Sequence, residues 1–156
     1  MQSAKQIAAY LLKKANELGD GDKSLSGNND VTNLKLQKLL YFAQVEYLKK
    51  TGKKLFNDEI QAWQYGPVVP NIYEWLKGCG AYVVTEFDIS LEDADNLQKA
   101  IKEFLDEFWK KYSPYSAWGL VSKTHEKDSP WSKVYNNGKG EKQVIPIELL
   151  KQAETL

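Results

Sequence analysis

TNLKLQKLLYFAQVEYLKKTG, residues 32–52, is the stretch around which the remainder of this chain must be arranged. The Thr32 hydroxyl can accept from a backbone N–H of a first helical turn, and Val31 before it is placed to staple onto Leu36 inside. Leu36, Leu39, Leu40, Ala43 and Tyr47 recur at three- and four-residue spacing. Phe42, Val45 and Leu48 then spread the apolar surface well beyond the ~100° stripe of an ordinary surface helix. Such a helix requires neighbours on several sides. Gln37 and Lys38 sit in its middle beside those leucines, and core packing alone does not explain them. Gly52 supplies the residue that usually ends a helix in the left-handed conformation.

Working outward, Ser3 is a cap for a first amphipathic helix carrying Ile7, Leu11, Ala15 and Leu18, and Gly19 stops it. Residues 19–30 form a polar surface connection. Its aspartates do not make a calcium loop, since Leu25 stands where glycine is needed and Val31 where the bidentate glutamate belongs. Beyond the organising helix, Lys49, Lys50, Lys53 and Lys54 are the densest basic cluster; the simpler reading is solvated lysines complementing a helix C-terminus. Ile60–Trp63 reads as extended, and Tyr65–Pro70 (YGPVVP) as a stiff non-helical corner, because each proline pushes the residue before it away from α. Pro70 opens a short helix with Ile72, Tyr73, Trp75 and Leu76 inside and Gly78 closing it. The β-branched run 81–85 (AYVVT) reads as a strand that pairs with 60–63. Ser90 and Asp93 start a helix whose Ala94, Leu97, Ile101, Phe104, Leu105, Phe108 and Tyr112 keep the helical period up to Ser113-Pro114. Ser116 caps a helix holding Ala117, Trp118, Leu120 and Val121. Pro130 begins a turn carrying Trp131, Val134 and Tyr135, ended by Asn136-Asn137-Gly138, and Pro146 starts a last helix. The fold class expected is mainly α: a single compact helical domain over 1–156 with a small two-stranded β element.

Composition restricts the chemistry. The 156 residues include one histidine (His125), one cysteine (Cys79) and 21 basic residues, all of them lysine. A zinc or iron centre would need mostly carboxylates, which argues against a metal, and nothing points to a cofactor. An arginine finger and bidentate arginine reading of guanine are excluded. With zero formal charge, no global field draws the chain to nucleic acid, so nucleic acid is not an expected partner. No run of about 18 apolar residues exists for a membrane span, and the N-terminal stretch lacks a signal peptide's apolar centre, so a cytoplasmic protein is expected. His125 is the one side chain with a near-neutral ordinary pKa, with Ser122, Glu126 and Asp128 nearby, but no nucleophile elbow, phosphate-binding glycine loop or dinucleotide fingerprint accompanies it. A structural histidine is the simpler reading, and Cys79, between two glycines, is an incidental small residue. Among the aromatics, Trp75 and Trp109 are expected inside, and Trp63, Tyr65 and Trp131, attached to proline corners, nearer the surface.

LQKLLYF (36–42), IQAWQYGPVVP (60–70) with Tyr73, then Leu120, Thr124-His125 and Pro130-Trp131 together resemble the Panacea domain of SocA-like antitoxins, a family that includes phage-associated GepA-type proteins. The resemblance covers nearly the whole chain, and the order and spacing of its first two segments carry it. It implies a non-enzymatic antitoxin of a type II toxin–antitoxin pair, which neutralises a toxin encoded next to it by direct binding. The motif falls on Leu36, Gln37, Lys38, Leu39, Tyr41, Trp63, Tyr65, Gly66, Pro67, Val68, Tyr73, Thr124, His125 and Trp131. The partner-binding candidates are Gln37, Lys38, Tyr41, Trp63, Tyr65, Tyr73, His125 and Trp131; Gln37, Lys38, Tyr65 and His125 are expected to converge on one groove. The readings that compete with this are a small enzyme acting on a nucleotide or modified side chain through His125 and Lys38, and a lysine-mediated nucleic-acid binder.

Overall fold

The computed structural model describes residues 2–19, 30–84 and 92–156. Its elements run α1 (Ala4–Gly19), α2 (Asn33–Thr51), β1 (Gln61–Trp63), β2 (Gly66–Val68), α3 (Pro70–Leu76), α4 (Lys99–Tyr112), α5 (Ala117–Thr124), α6 (Pro130–Tyr135), β3 (Gln143–Val144) and α7 (Ile147–Leu150). Residues 20–29 of the polar connection and the Ser90 cap lie outside the described residues.

The organising helix forms as its sequence directs. Thr32 Oγ1 accepts from Lys35 N at 3.2 Å, and Gly52 adopts φ +77° with its N–H bonded to Leu48 O. Burial extends right around α2, from Asn33 to Leu48, and α1, α3, α4, α5, α7 and β2 all pack on it. An all-round apolar helix has this fate because a single covered face would leave the rest wet. Ser3 and Gln6 form a reciprocal cap on α1, Ser116 caps α5 and Asn136 ends α6 in the left-handed region.

Among the buried polar groups of α2, four side chains bond segments distant in sequence. Gln44 accepts from Leu55 N at 2.6 Å and donates to Phe56 O at 2.8 Å. Lys35 Nζ donates to Ser113 O at 2.8 Å, Lys38 Nζ to Pro67 O at 3.0 Å, and Gln37 Oε1 accepts from Val69 N at 2.7 Å. The hub therefore holds three non-helical corners by satisfying backbone groups that burial would otherwise leave unpaired.

The β element differs from expectation. It has three strands in the order β2-β1-β3, with β1 antiparallel to both neighbours. The partner of β1 is the adjacent Gly66–Val68, in register Trp63↔Gly66, and the second partner is Gln143–Val144. Closing a two-residue loop at Gln64-Tyr65 costs far less chain entropy than reaching residues 81–85. Pro67 is tolerated because β2 is an edge strand. Of the expected strand at 81–85, Val83 makes an isolated bridge to Thr32, Val84 N donates to Val31 O at 2.8 Å, and Thr85 lies outside the described residues.

The long helix expected from Ser90 is also divided. A 3-10 turn at Glu92–Asn96 precedes α4, whose N-cap Gln98 is extended (φ −65°, ψ 151°). Asp93, Asp95 and Asn96 favour local turns over continuous helix. That turn packs against α1, where Lys13 Nζ meets Asp95 at 3.1 Å. No helix among the described residues is long and apolar enough to cross a membrane.

Candidate functional site

The hairpin tip at residues 63–69 gathers most of the residues singled out above. Gly66 has φ +112°, a conformation side-chain-bearing residues rarely adopt, and a Cβ there would lie 2.9 Å from both Lys38 Cε and Thr124 Oγ1. The strand is thereby pressed against α2 and α5. Beneath it the Lys38 side chain is fully buried, with its ammonium on Pro67 O. Burial pushes its pKa down from 10.5 to about 7. Thr124, also buried, donates its hydroxyl to Val121 O at 2.7 Å.

His125 follows α5 as its C-cap. Its ring lies flat on Trp131, with centroids 3.8 Å apart and planes parallel, and is hydrogen-bonded to the Tyr65 backbone. Its pKa is lowered first by burial and then by the Lys38 charge, with the Tyr65 bond opposing both. Nε2 is buried without a partner. Trp131 donates its indole N–H to Trp63 O at 2.6 Å, so it braces the strand from behind. Trp63 in turn meets the edge of Tyr73 at 4.9 Å and lies under Lys142 Nζ, 5.0 Å from the ring.

Gln37, Lys38, Tyr65 and His125 thus come together, but around a filled corner and not an open groove. Gln37, Lys38, Tyr41 and Trp131 are buried, which places Trp131 inside, contrary to the surface position expected of it. His125 and Trp63 are half-buried, and Tyr73, expected inside, is exposed. The polar heads of Gln37 and Lys38 are occupied by the corner's own backbone. Tyr65 is 53% exposed and meets Trp118 of α5 edge to face, 5.9 Å between centroids, with Trp118 60% exposed. Trp118 is the surface residue the sequence reading missed. Leu120, Val121 and Thr124 are the buried side of α5, and helical spacing from them turns position 118 outward. Tyr41 packs against Phe42 at 4.9 Å, its hydroxyl pKa raised chiefly by burial.

A cavity of about 220 Å³ beside α5 and α6 is lined by Lys123, Glu126 and Asp128, and neither His125 nor Lys38 lines it. Among the described residues no three of His, Cys, Asp and Glu gather closely enough to hold a metal ion. What the site presents outward is an aromatic surface, Tyr65 with Trp118 and Tyr73 with Trp63, on a support whose backbone groups are tied from below.

Comparison with known proteins agrees in extent with this corner. The family described as "Antitoxin SocA-like, Panacea domain" matches residues 36–132, from within α2 to within α6. The curated "Antitoxin SocA" of Caulobacter vibrioides (strain NA1000 / CB15N) is 31% identical over 127 residues, which cover 76% of this chain and 67% of that protein. No solved structure matches the chain.

Proposed function

Since the chain belongs to the SocA-like antitoxin family that carries the Panacea domain, we propose that it is the antitoxin of a type II toxin–antitoxin pair and neutralises a toxin protein encoded beside it by binding it directly. In this reading residues 1–156 act as one cytoplasmic unit that transforms no substrate. The observation that carries the binding surface is the exposed Tyr65–Trp118 pair mounted on the Gly66 corner. Large aromatics are enriched at interface centres, and a surface already held rigid loses little conformational entropy on docking. Trp63, Tyr73 and His125 extend that surface; Gln37, Lys38, Tyr41 and Trp131 act from beneath as positioning residues.

A stable inhibitor–toxin pair buries at least roughly 1,200 Å² in total, more than this aromatic patch alone supplies, so the polar rim around it takes part as well. The test is co-expression with the product of the adjacent gene. The proposal expects rescue of growth and co-purification of the two proteins, with both lost on combined substitution Tyr65→Ala/Trp118→Ala. Failure to rescue against neighbouring toxins, with the antitoxin folded, would overturn it. An enzyme working through Lys38 and His125 has less support, because the Lys38 ammonium would first have to leave Pro67 O and reach solvent.

A further inference from the structure

A second face lies at the other end of α2. There the helix and α4 enclose an open groove of about 630 Å³. Its floor is Phe104 and Phe108, and its walls carry Lys49 and Lys50 from α2 and Lys110 and Lys111 from α4. Phe108 belongs to the buried face of α4, whereas Phe104 is only partly covered. The glutamates of the groove are already engaged: Glu46 with Lys111 at 2.9 Å and Glu107 with Lys110 at 3.2 Å. Among the described residues no ion pair within 4.0 Å involves Lys49 or Lys50, and Lys50 Nζ stands 5.8 Å from the Phe104 ring. The surface is therefore apolar along its bottom and positive in excess along its walls, with lysine stems extending the apolar part upward.

We propose that this groove binds an acidic amphipathic helix supplied by a partner protein. Both walls are helices, so no unpaired strand edge is offered to an extended peptide, and a ligand helix is the form that fills such a channel. Positions 104 to 111 span about two helical turns. A docking helix would thus place apolar residues at i, i+3 or i+4, and i+7 along the floor at Phe104 and the lysine stems beside it, and direct Asp or Glu at Lys49 and Lys50. A nucleic acid fits less well, because the chain carries zero formal charge and two of the four groove lysines are already paired with Glu46 and Glu107, which leaves few cations for a phosphate backbone. Lys38 and Lys50 are separated by roughly 18 Å along α2, so this face is distinct from the aromatic corner.

The test is affinity selection of a displayed library of random 16-residue peptides on the intact protein, with counter-selection on the variant K49E/K50E. Expected is a consensus of helix-period apolar residues flanked by Asp and Glu. Its synthetic peptide should lose at least tenfold in affinity to K49E/K50E, lose at least as much to Phe104→Ala, and weaken as salt rises. Recovery of no peptide that depends on these residues, of basic or non-helical ones, or equal binding of polyglutamate or an oligonucleotide, would overturn the proposal. So would sedimentation that finds a second copy of this chain seated there. Toxin neutralisation that survives K49E/K50E but fails with Trp118→Ala separates this face from the corner.

Discussion

Lys38 and Lys50 stand about three turns apart on the same helix and meet opposite fates. Lys38 is sealed under the Gly66 corner with a carbonyl for its partner; Lys50 is exposed at the mouth of a groove, over a phenylalanine ring. The residue type is the same, so the difference comes from what packs above each. Where a non-helical segment with surplus carbonyls crosses α2, a lysine is drawn inward and loses basicity, as Lys35 also does, to about 8, under Ser113. Where α4 runs alongside with its own backbone satisfied, nothing competes with water for the ammonium. One end of α2 is built to hold a surface rigid and the other to leave its lysines in water.

The contrast breaks most readily at Gly66. Gly66→Val combines a disallowed φ with overlap against Lys38 and Thr124; chemical denaturation should show a loss of about 4 kcal/mol. A second route is pH. Between about 7 and 10.5 the folded chain has released the Lys38 proton that the unfolded chain still holds, so stability climbs as pH rises through that window. At about 1.4 kcal/mol per unit, the part of the climb from pH 7 to 9.5 that comes from Lys38 amounts to about 3 kcal/mol; Lys38→Met should remove that part and leave the smaller rise above about pH 8 that Lys35 contributes. Gln44→Ala leaves the buried Leu55 N–H and Phe56 C=O without their side-chain partner, a loss of about 2 kcal/mol in the same denaturation experiment. Lys50→Ala, at the open end, should shift stability by no more than about 0.5 kcal/mol. A large effect there would mean that the two ends are not as different as described.

The same division governs what could be read from the chain. Thr32 and Gly52, Ser116, Pro130 and Pro146 mark their helix ends by chemistry contained within a few residues, and each does so in the structure. Pairing was less legible. The run at 81–85 has the composition of a strand, but β1 takes its nearest neighbour across a tight loop that Gly66 permits. Lys38 and Gln37 were recognisable as residues that core packing does not require. Their actual task was hidden because the backbone groups they satisfy lie about thirty residues away. Trp131 sits beside a proline, which favours a surface position, yet its indole N–H finds a carbonyl on β1 and the ring is buried. Trp118 needed only a consistent reading of the α5 period.

The most direct test of the proposed antitoxin role is the affinity of Trp118→Ala for the purified product of the adjacent toxin gene, measured by calorimetry beside an unfolding curve. Because Trp118 is largely exposed, its unfolding transition should match that of the parent protein. As a hot spot worth about 2 kcal/mol, its loss should weaken toxin binding roughly 30-fold. Undiminished toxin affinity in the folded Trp118→Ala protein would contradict the assignment of the Tyr65–Trp118 surface to toxin neutralisation.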